Sequence, residues 1–387
     1  MLRKINFHPI RKVINPPAFI SMLKSIKLIL KLIFIFLILP QIIIAQTQIK
    51  SEIYLKGASV TDIKQEDGFL WVATYGQGIY RYSYKDEKWI NFSTKNGNLE
   101  NDLYYTLEVS KNYVWAGATE GLFIYTKKRD RWSIRKFAQG GQFGNWIRSL
   151  KFDDKKNVLW IGRFRNITML DIKTMRYTDI NRIQGKDEKS NNIKTIQLDG
   201  DSLVWFGTES GVHIFNNNKR YSDASAWRYI SNKSKNFKDE GDAVSVSDIL
   251  FEDDNIWFGT DEFVTNEQPN FNLGGIYIYD REINWERISK GDGLAANGIY
   301  ALGRTGNYIW VGVYEFEKKE KQEYGKGLFI VNRISGKVEQ VDLNKINITS
   351  STILSFHFDG KNMWIGTGEG LVKINFENKL AQWPSKG

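Results

Sequence analysis

The 387 residues contain no cysteine. That excludes a disulfide framework, a thiolate metal site, a cysteine nucleophile and a lipid-modified N-terminal cysteine. Histidine is nearly as scarce, with only His8, His213 and His357. A phosphate-cradling glycine loop, a zinc signature and a nucleophile elbow are all missing. Asp-rich turns such as Asp153-Asp154, Asp199-Gly200-Asp201 and Asp253-Asp254-Asn255 lack the spaced carboxylates and closing Glu of a calcium loop. Asp and Gly are favoured there for the backbone of hairpin turns. No metal and no cofactor are therefore expected.

Negative charge is absent from the first 45 residues, which carry Arg3, Lys4, Arg11, Lys12, Lys24, Lys27 and Lys31. From Met22 a basic stretch runs into the apolar segment 32–39, then Pro40 and residues 42–45. This is the build of a secretory signal, with cleavage expected after Ala45 and Met22 as an alternative start. Lys31 and Pro40 keep the apolar run below the roughly 18 residues a spanning helix requires, although an uncleaved anchor stays open. The leader supplies seven of the formal +10, leaving about +3, so no basic footprint for nucleic acid remains. A periplasmic or secreted protein is expected.

What is present is a repeat. Trp71, Trp115, Trp160, Trp205, Trp257, Trp310 and Trp364 open the segments WVAT, WAGA, WIGR, WFGT, WFGT, WVGV and WIGT, at spacings of 44, 45, 45, 52, 53 and 54. A period in this range points to a propeller or solenoid. Each unit reads as four strands. First comes an inner strand of the form I-x-x-I, such as Val60/Ile63 or Ile193/Ile196, then an Asp/Gly/Asn turn and the Trp strand. A third strand opens on Gly (Gly78-Ile79-Tyr80, Gly370-Leu371-Val372), and a fourth often bears a second Trp, as at Trp89, Trp132, Trp227, Trp285 and Trp383. Convincing helical periodicity is absent after the leader.

A four-stranded sheet with two apolar faces buries both only by stacking on neighbours around an axis. The residue two positions beyond the first apolar one of each inner strand is small in all seven units (Asp62, Thr106, Ser149, Thr195, Asp248, Ala301, Ser355), as convergence on an axis demands. The fold expected is all-β: a seven-bladed β-propeller of four-stranded antiparallel blades over 58–387, preceded by a strand within 46–57. That strand, or the stretch from Leu380 to Trp383, could close the ring.

The inner strand, Asp-Gly turn, L-W-I-G-T and G-L-x-x-Y pattern resembles the propeller repeat of two-component regulators. It is found in periplasmic sensor halves of hybrid regulators and in stand-alone exported proteins. Blade 3 departs from it with WIGR-FRN. The sensors continue into a second propeller, an Ig-like domain, a membrane helix and a kinase, none of which occurs in these residues. The resemblance thus implies a separate sensor kinase as one partner.

The site is sought where the repeat breaks. Trp146 fits neither Trp slot, and Arg148, Arg163, Phe164 and Arg165 lie near it. Inner strands start, and second strands end, at one rim. The blade 5 and 6 connections 261–274 and 314–326 rise there too, taking 19 and 18 residues from the Trp where most blades take 7 or 8. Long loops on a rigid scaffold are where binding resides. The expected ligand-binding residues are Trp146 as a stacking platform, Arg148, Arg163 and Arg165 as anion contacts, Tyr105, Lys194 and Tyr300 at the mouth, and Phe263 and Tyr314 from the long loops. Aromatic and bidentate Arg groups suit an acidic glycan or acidic peptide.

The expectation is thus a monomeric, non-catalytic binding protein with a glycan or an envelope protein as partner. Two alternatives stay open. One is an envelope scaffold that docks another protein. The other is a lyase similar to streptogramin lyase, a seven-bladed propeller with a catalytic histidine. His213 falls in a slot held elsewhere by Tyr or Phe, and His357 on the last inner strand has no second histidine beside it.

Overall fold

The computed structural model describes residues 50–376, apart from 138–140, 234 and 253. The leader, Met22 and the stretch from Leu380 to Trp383 lie outside the described residues. Seven four-stranded antiparallel sheets follow one another along the chain. Blades 1 to 7 span 60–92, 106–135, 147–180, 193–230, 246–288, 298–340 and 353–375, with only short 3-10 turns between strands. The fold is the seven-bladed propeller expected. Its last sheet takes its outer strand from the other end of the chain: Lys50–Tyr54 runs antiparallel to Gly370–Asn375, with Ile53 opposite Val372.

Why the sheets form a ring is visible in where the apolar side chains go. Among the described residues they gather into seven clusters, each shared by two neighbouring blades, and the cluster of Val60, Val72, Trp364 and Leu371 joins blade 7 to blade 1. The seven repeat tryptophans are each 2% exposed or less. Four of them also donate the indole N–H to an acceptor five residues earlier: Trp71 to Glu66 (2.7 Å), Trp257 to Glu252 (2.8 Å), Trp310 to Thr305 (2.7 Å) and Trp364 to Asp359 (2.8 Å).

The glycine two residues after the Trp is dictated by the inner strands of its own blade and of the next. A Cβ at Gly207 would lie 2.6 Å from Thr195 Cγ2 and 2.9 Å from Val246 Cγ1, and one at Gly312 only 2.3 Å from the Ile353 carbonyl oxygen. The small residue of the inner strand sits directly across from this glycine, as Thr195 does from Gly207 and Asp248 from Gly259. Lack of room at the axis is therefore only part of its explanation. Asp62 and Asp248 use the slot to reach the neighbouring blade, accepting from the backbone N–H of Leu107 (2.7 Å) and Leu302 (2.8 Å). Closing the ring thus satisfies polar groups as well as apolar ones.

Candidate functional site

Two sequence slots meet at the rim where inner strands begin. One is the second residue of the inner strand: Thr61, Tyr105, Arg148, Lys194, Ser247, Tyr300 and Leu354. The other is the fourth residue after the repeat Trp: Tyr75, Thr119, Phe164, Glu209, Asp261, Tyr314 and Gly368. Neither slot repeats a theme around the ring, and their side chains pair with one another.

Blades 1 to 3 contribute a run of aromatic rings. Tyr75 lies 5.6 Å from Tyr105, Tyr105 lies 5.7 Å from Trp146, and Trp146 stacks on Phe164 at 5.0 Å and 5°. Phe143 completes the run, 5.0 Å from Phe164. Trp146 does not stand open as the platform expected: Phe164 covers one face, and its buried indole N–H is turned inward. The exposed rings are the two ends, Tyr75 at 47% and Phe143 at 41%.

Blades 3 to 6 contribute charge, and the charge is paired. Arg148 donates to Glu209 at 2.6 Å while lying 5.8 Å from the Trp146 ring and 5.6 Å from Phe164. Lys194 binds Asp261, whose carboxylate also accepts from Ser245 and from the Tyr314 hydroxyl (3.1 Å). Burial alone would push the Asp261 carboxyl up, but the Lys194 ammonium and these hydrogen bonds hold it below the usual carboxylate range. Tyr300 stacks on Tyr314 at 4.4 Å. Partial desolvation and the Asp261 charge push Glu323, beside Tyr300, upward.

Arg163 is the clearest departure from expectation. It is fully buried, so it is not an anion contact. Its guanidinium pairs with Asp179, donates to Thr168 at 2.8 Å and to the Gly144 carbonyl, and lies over the Phe137 ring at 5.0 Å. In blades 1, 4, 5 and 7 this position is a Thr whose hydroxyl bonds the carbonyl of the Gly opening the third strand. Blade 3 replaces that clasp with a buried ion pair, and the bond to Gly144 fixes the segment that bears Phe143 and Trp146. Arg163 therefore positions the aromatic run.

The remaining expected residues scatter. Arg165 is exposed, 3.6 Å from Glu188. The long connections are in part continuations of the sheets, with 264–271 and 318–321 left as their tips: Ile256–Phe263 pairs with Asn272–Tyr279 and Tyr308–Glu317 with Gln322–Asn332. Phe263 is half-buried between these two hairpins, 4.6 Å from Phe316, and Tyr314 is only 1% exposed, which leaves it no open face for a ligand. Tyr75, Phe143, Glu209 and Asp261 were not picked out in the sequence. The signal for three of them was the variability of the fourth position after Trp, set against the constancy of the second.

Neither described histidine is bonded to a carboxylate or to another histidine. His213 is buried against the Ser190 carbonyl (2.8 Å), and burial lowers its pKa to about 4. His357 meets Gln65 at 3.0 Å, and burial with the nearby Lys64 charge lowers it to about 4. Among the described residues no group of three or more His, Asp or Glu is arranged to hold a metal ion.

Fold and site together define a closed propeller with one rim of unlike residues. No protein-family model matches the chain. Over 157 residues it is 24% identical to Histidine kinase P4 of Formosa agariphila, a match covering 38% of this chain and 11% of that relative's length. The seven-bladed fold and this partial match to a histidine kinase are what the resemblance to regulator propellers implies. Among solved structures, YCF48 bound to a D1 peptide is similar with a TM-score of 0.58 at 12% identity, over 85% of this chain and 96% of that one. PorZ, a surface component of the type-IX secretion system of Porphyromonas gingivalis, gives 0.55 at 15% identity, over 81% and 46%. At these identities the likeness to the solved structures is one of fold.

Proposed function

We propose that the chain is an exported, non-catalytic binding propeller that captures a glycan or a protein of the cell envelope on the rim bearing Trp146. The observation that carries this reading is the aromatic run from Tyr75 to Phe143, exposed at both ends and adjoining the paired charges of the following blades. Rings exposed on a rigid scaffold offer flat apolar area at little entropic cost, which is how binding surfaces are commonly built. The ligand need not be acidic on this face: Arg148 and Lys194 already have carboxylates, and a ligand anion would have to displace Glu209 or Asp261.

Docking of a protein is favoured over a glycan by one feature, the width of the rim. The aromatic run spans three blades, and the sheets of blades 5 and 6 extend beyond the others on the same side. The propellers similar in fold include one bound to a peptide and one belonging to a secretion system, in keeping with such a partner.

A glycan array and a pull-down from envelope extract, run with the unaltered chain and with Tyr75→Ser/Phe143→Ser, test the reading. Capture by the unaltered chain and its loss in the variant are expected. Undiminished capture by the variant would place binding elsewhere, and turnover of a glycan or lactone, seen by mass spectrometry, would favour the enzyme.

A further inference from the structure

The outer wall between blades 2 and 3 holds a cleft of about 560 Å³. Blades diverge as they radiate, so side chains on the outer strands have to fill the widening gap. Between blades 1 and 2 they do: the cross-strand row Trp71, Arg81, Ile90 lays the Arg81 guanidinium over the rings of Phe69, Trp71 and Phe92. The corresponding row in blade 2 is Trp115, Ile124, Ser133. Its two short outer side chains leave the gap open, with Tyr113, Ile134 and Met175 among its lining.

The border of this cleft is basic, and most of its charge has no acid beside it among the described residues. Lys128 and Arg129 line it from the turn between the third and fourth strands, and Arg135 from the outer strand Arg131–Arg135, where it donates to the Met175 carbonyl at 3.0 Å and meets no described carboxylate. Arg131 lies opposite Thr126, another lining residue, and so on the same side. Residues 127–136 hold six Lys or Arg and one acid, Asp130. Lys127 is taken by Glu66, and Asp130 accepts from the Tyr125 hydroxyl. Lys128, Arg129 and Arg131 are exposed and pair with no acid among the described residues. This is the reverse of the Trp146 rim, where Arg148 and Arg163 are both neutralised from within. The outer strand is also last in its sheet, so its outward N–H and C=O groups have no strand partner.

We propose that this cleft takes an extended acidic peptide segment as a fifth strand of blade 2. Alternate residues of a strand fall on one side about 6.5 to 7 Å apart, which is also the spacing of Arg131, Ser133 and Arg135. The segment that fits carries Asp or Glu opposite the two arginines and an apolar residue between them, over Ser133 and the open cleft. A peptide is favoured over an anionic glycan because only a peptide offers the free edge alternating N–H and C=O groups. The site is separate from the Trp146 rim, since the turn bearing Lys128 and Arg129 lies at the opposite end of the strands.

The test is fluorescence anisotropy of a labelled nonapeptide containing Glu-Thr-Val-Thr-Glu, titrated with the full chain at low and high salt. Saturable binding is expected, weakened by salt, and reduced at least about tenfold by Lys128→Glu/Arg129→Glu at an unchanged unfolding midpoint. N-methylation of the peptide backbone abolishes it, and Tyr75→Ser/Phe143→Ser leaves it intact. Binding that survives the charge reversal or the N-methylation, equal binding of a scrambled peptide, or equal competition by an oligouronate would overturn the proposal.

Discussion

Inside the blades one residue does one task seven times, whereas around the rim no two blades present the same two side chains in the same two slots. Every repeat Trp is buried between its own blade and the next, and the glycine two positions on is excluded from becoming anything larger in six of the seven. Two positions beyond that glycine the residues run through Tyr, Thr, Phe, Glu, Asp, Tyr and Gly. A change in the interior disturbs a whole cluster of packed side chains from two blades, and a change at the rim only the few side chains it pairs with. The difference separates what the fold requires from what a partner could select.

Breaking the interior should give the largest effects. Trp115→Ala is expected to cost about 3 to 5 kcal/mol, read from the urea midpoint, because packing dominates at a site whose indole N–H has no acceptor. Arg163→Met should cost a similar amount, about 3 to 5 kcal/mol, by leaving the buried Asp179 carboxylate without a cation and with only the Thr168 hydroxyl to bond it. Adding Asp179→Leu should restore much of it, and failure of that rescue would show that the arginine matters for more than its partner.

Next in size is a pH effect. His213 is fully buried and its pKa is lowered to about 4, while an unfolded histidine titrates near 6.5. The unfolded chain binds the proton more readily, so the contribution of His213 is complete above the unfolded value and is lost as pH falls from there to about 4. The loss amounts to about 3 kcal/mol. In His213→Phe, which matches Phe123 and Phe329 in the same slot, that part of the acid destabilisation should disappear from the dependence of the unfolding midpoint on pH. Smallest of all is the rim: Tyr75→Ser or Phe143→Ser should move stability by no more than about 0.5 kcal/mol, since each ring is already half in water.

The fold was legible because a period of Trp-x-Gly survives any local ambiguity, and the same pattern located every inner strand. The site was legible only in part. Trp146 stood out because it broke the repeat, and it does sit at the centre of the aromatic run. Arg163 stood out for the same reason and proved to be a structural substitute for a threonine clasp, because a break in a repeat marks a changed contact without saying whether that contact faces solvent. Glu209 and Asp261 were missed because a carboxylate after WFGT reads as a turn residue until its partners, Arg148 and Lys194, are brought in from the preceding blade. Pairing between blades is set by the ring and is invisible within one repeat. The same blindness made paired arginines look like anion contacts.

The separation of rim from interior is tested most directly by measuring affinity and unfolding free energy on one preparation of Tyr75→Ser/Phe143→Ser, using the ligand recovered with the unaltered chain. The account predicts that affinity falls steeply while the unfolding free energy stays where it was. A variant that kept its affinity, or that lost stability in step with binding, would contradict it.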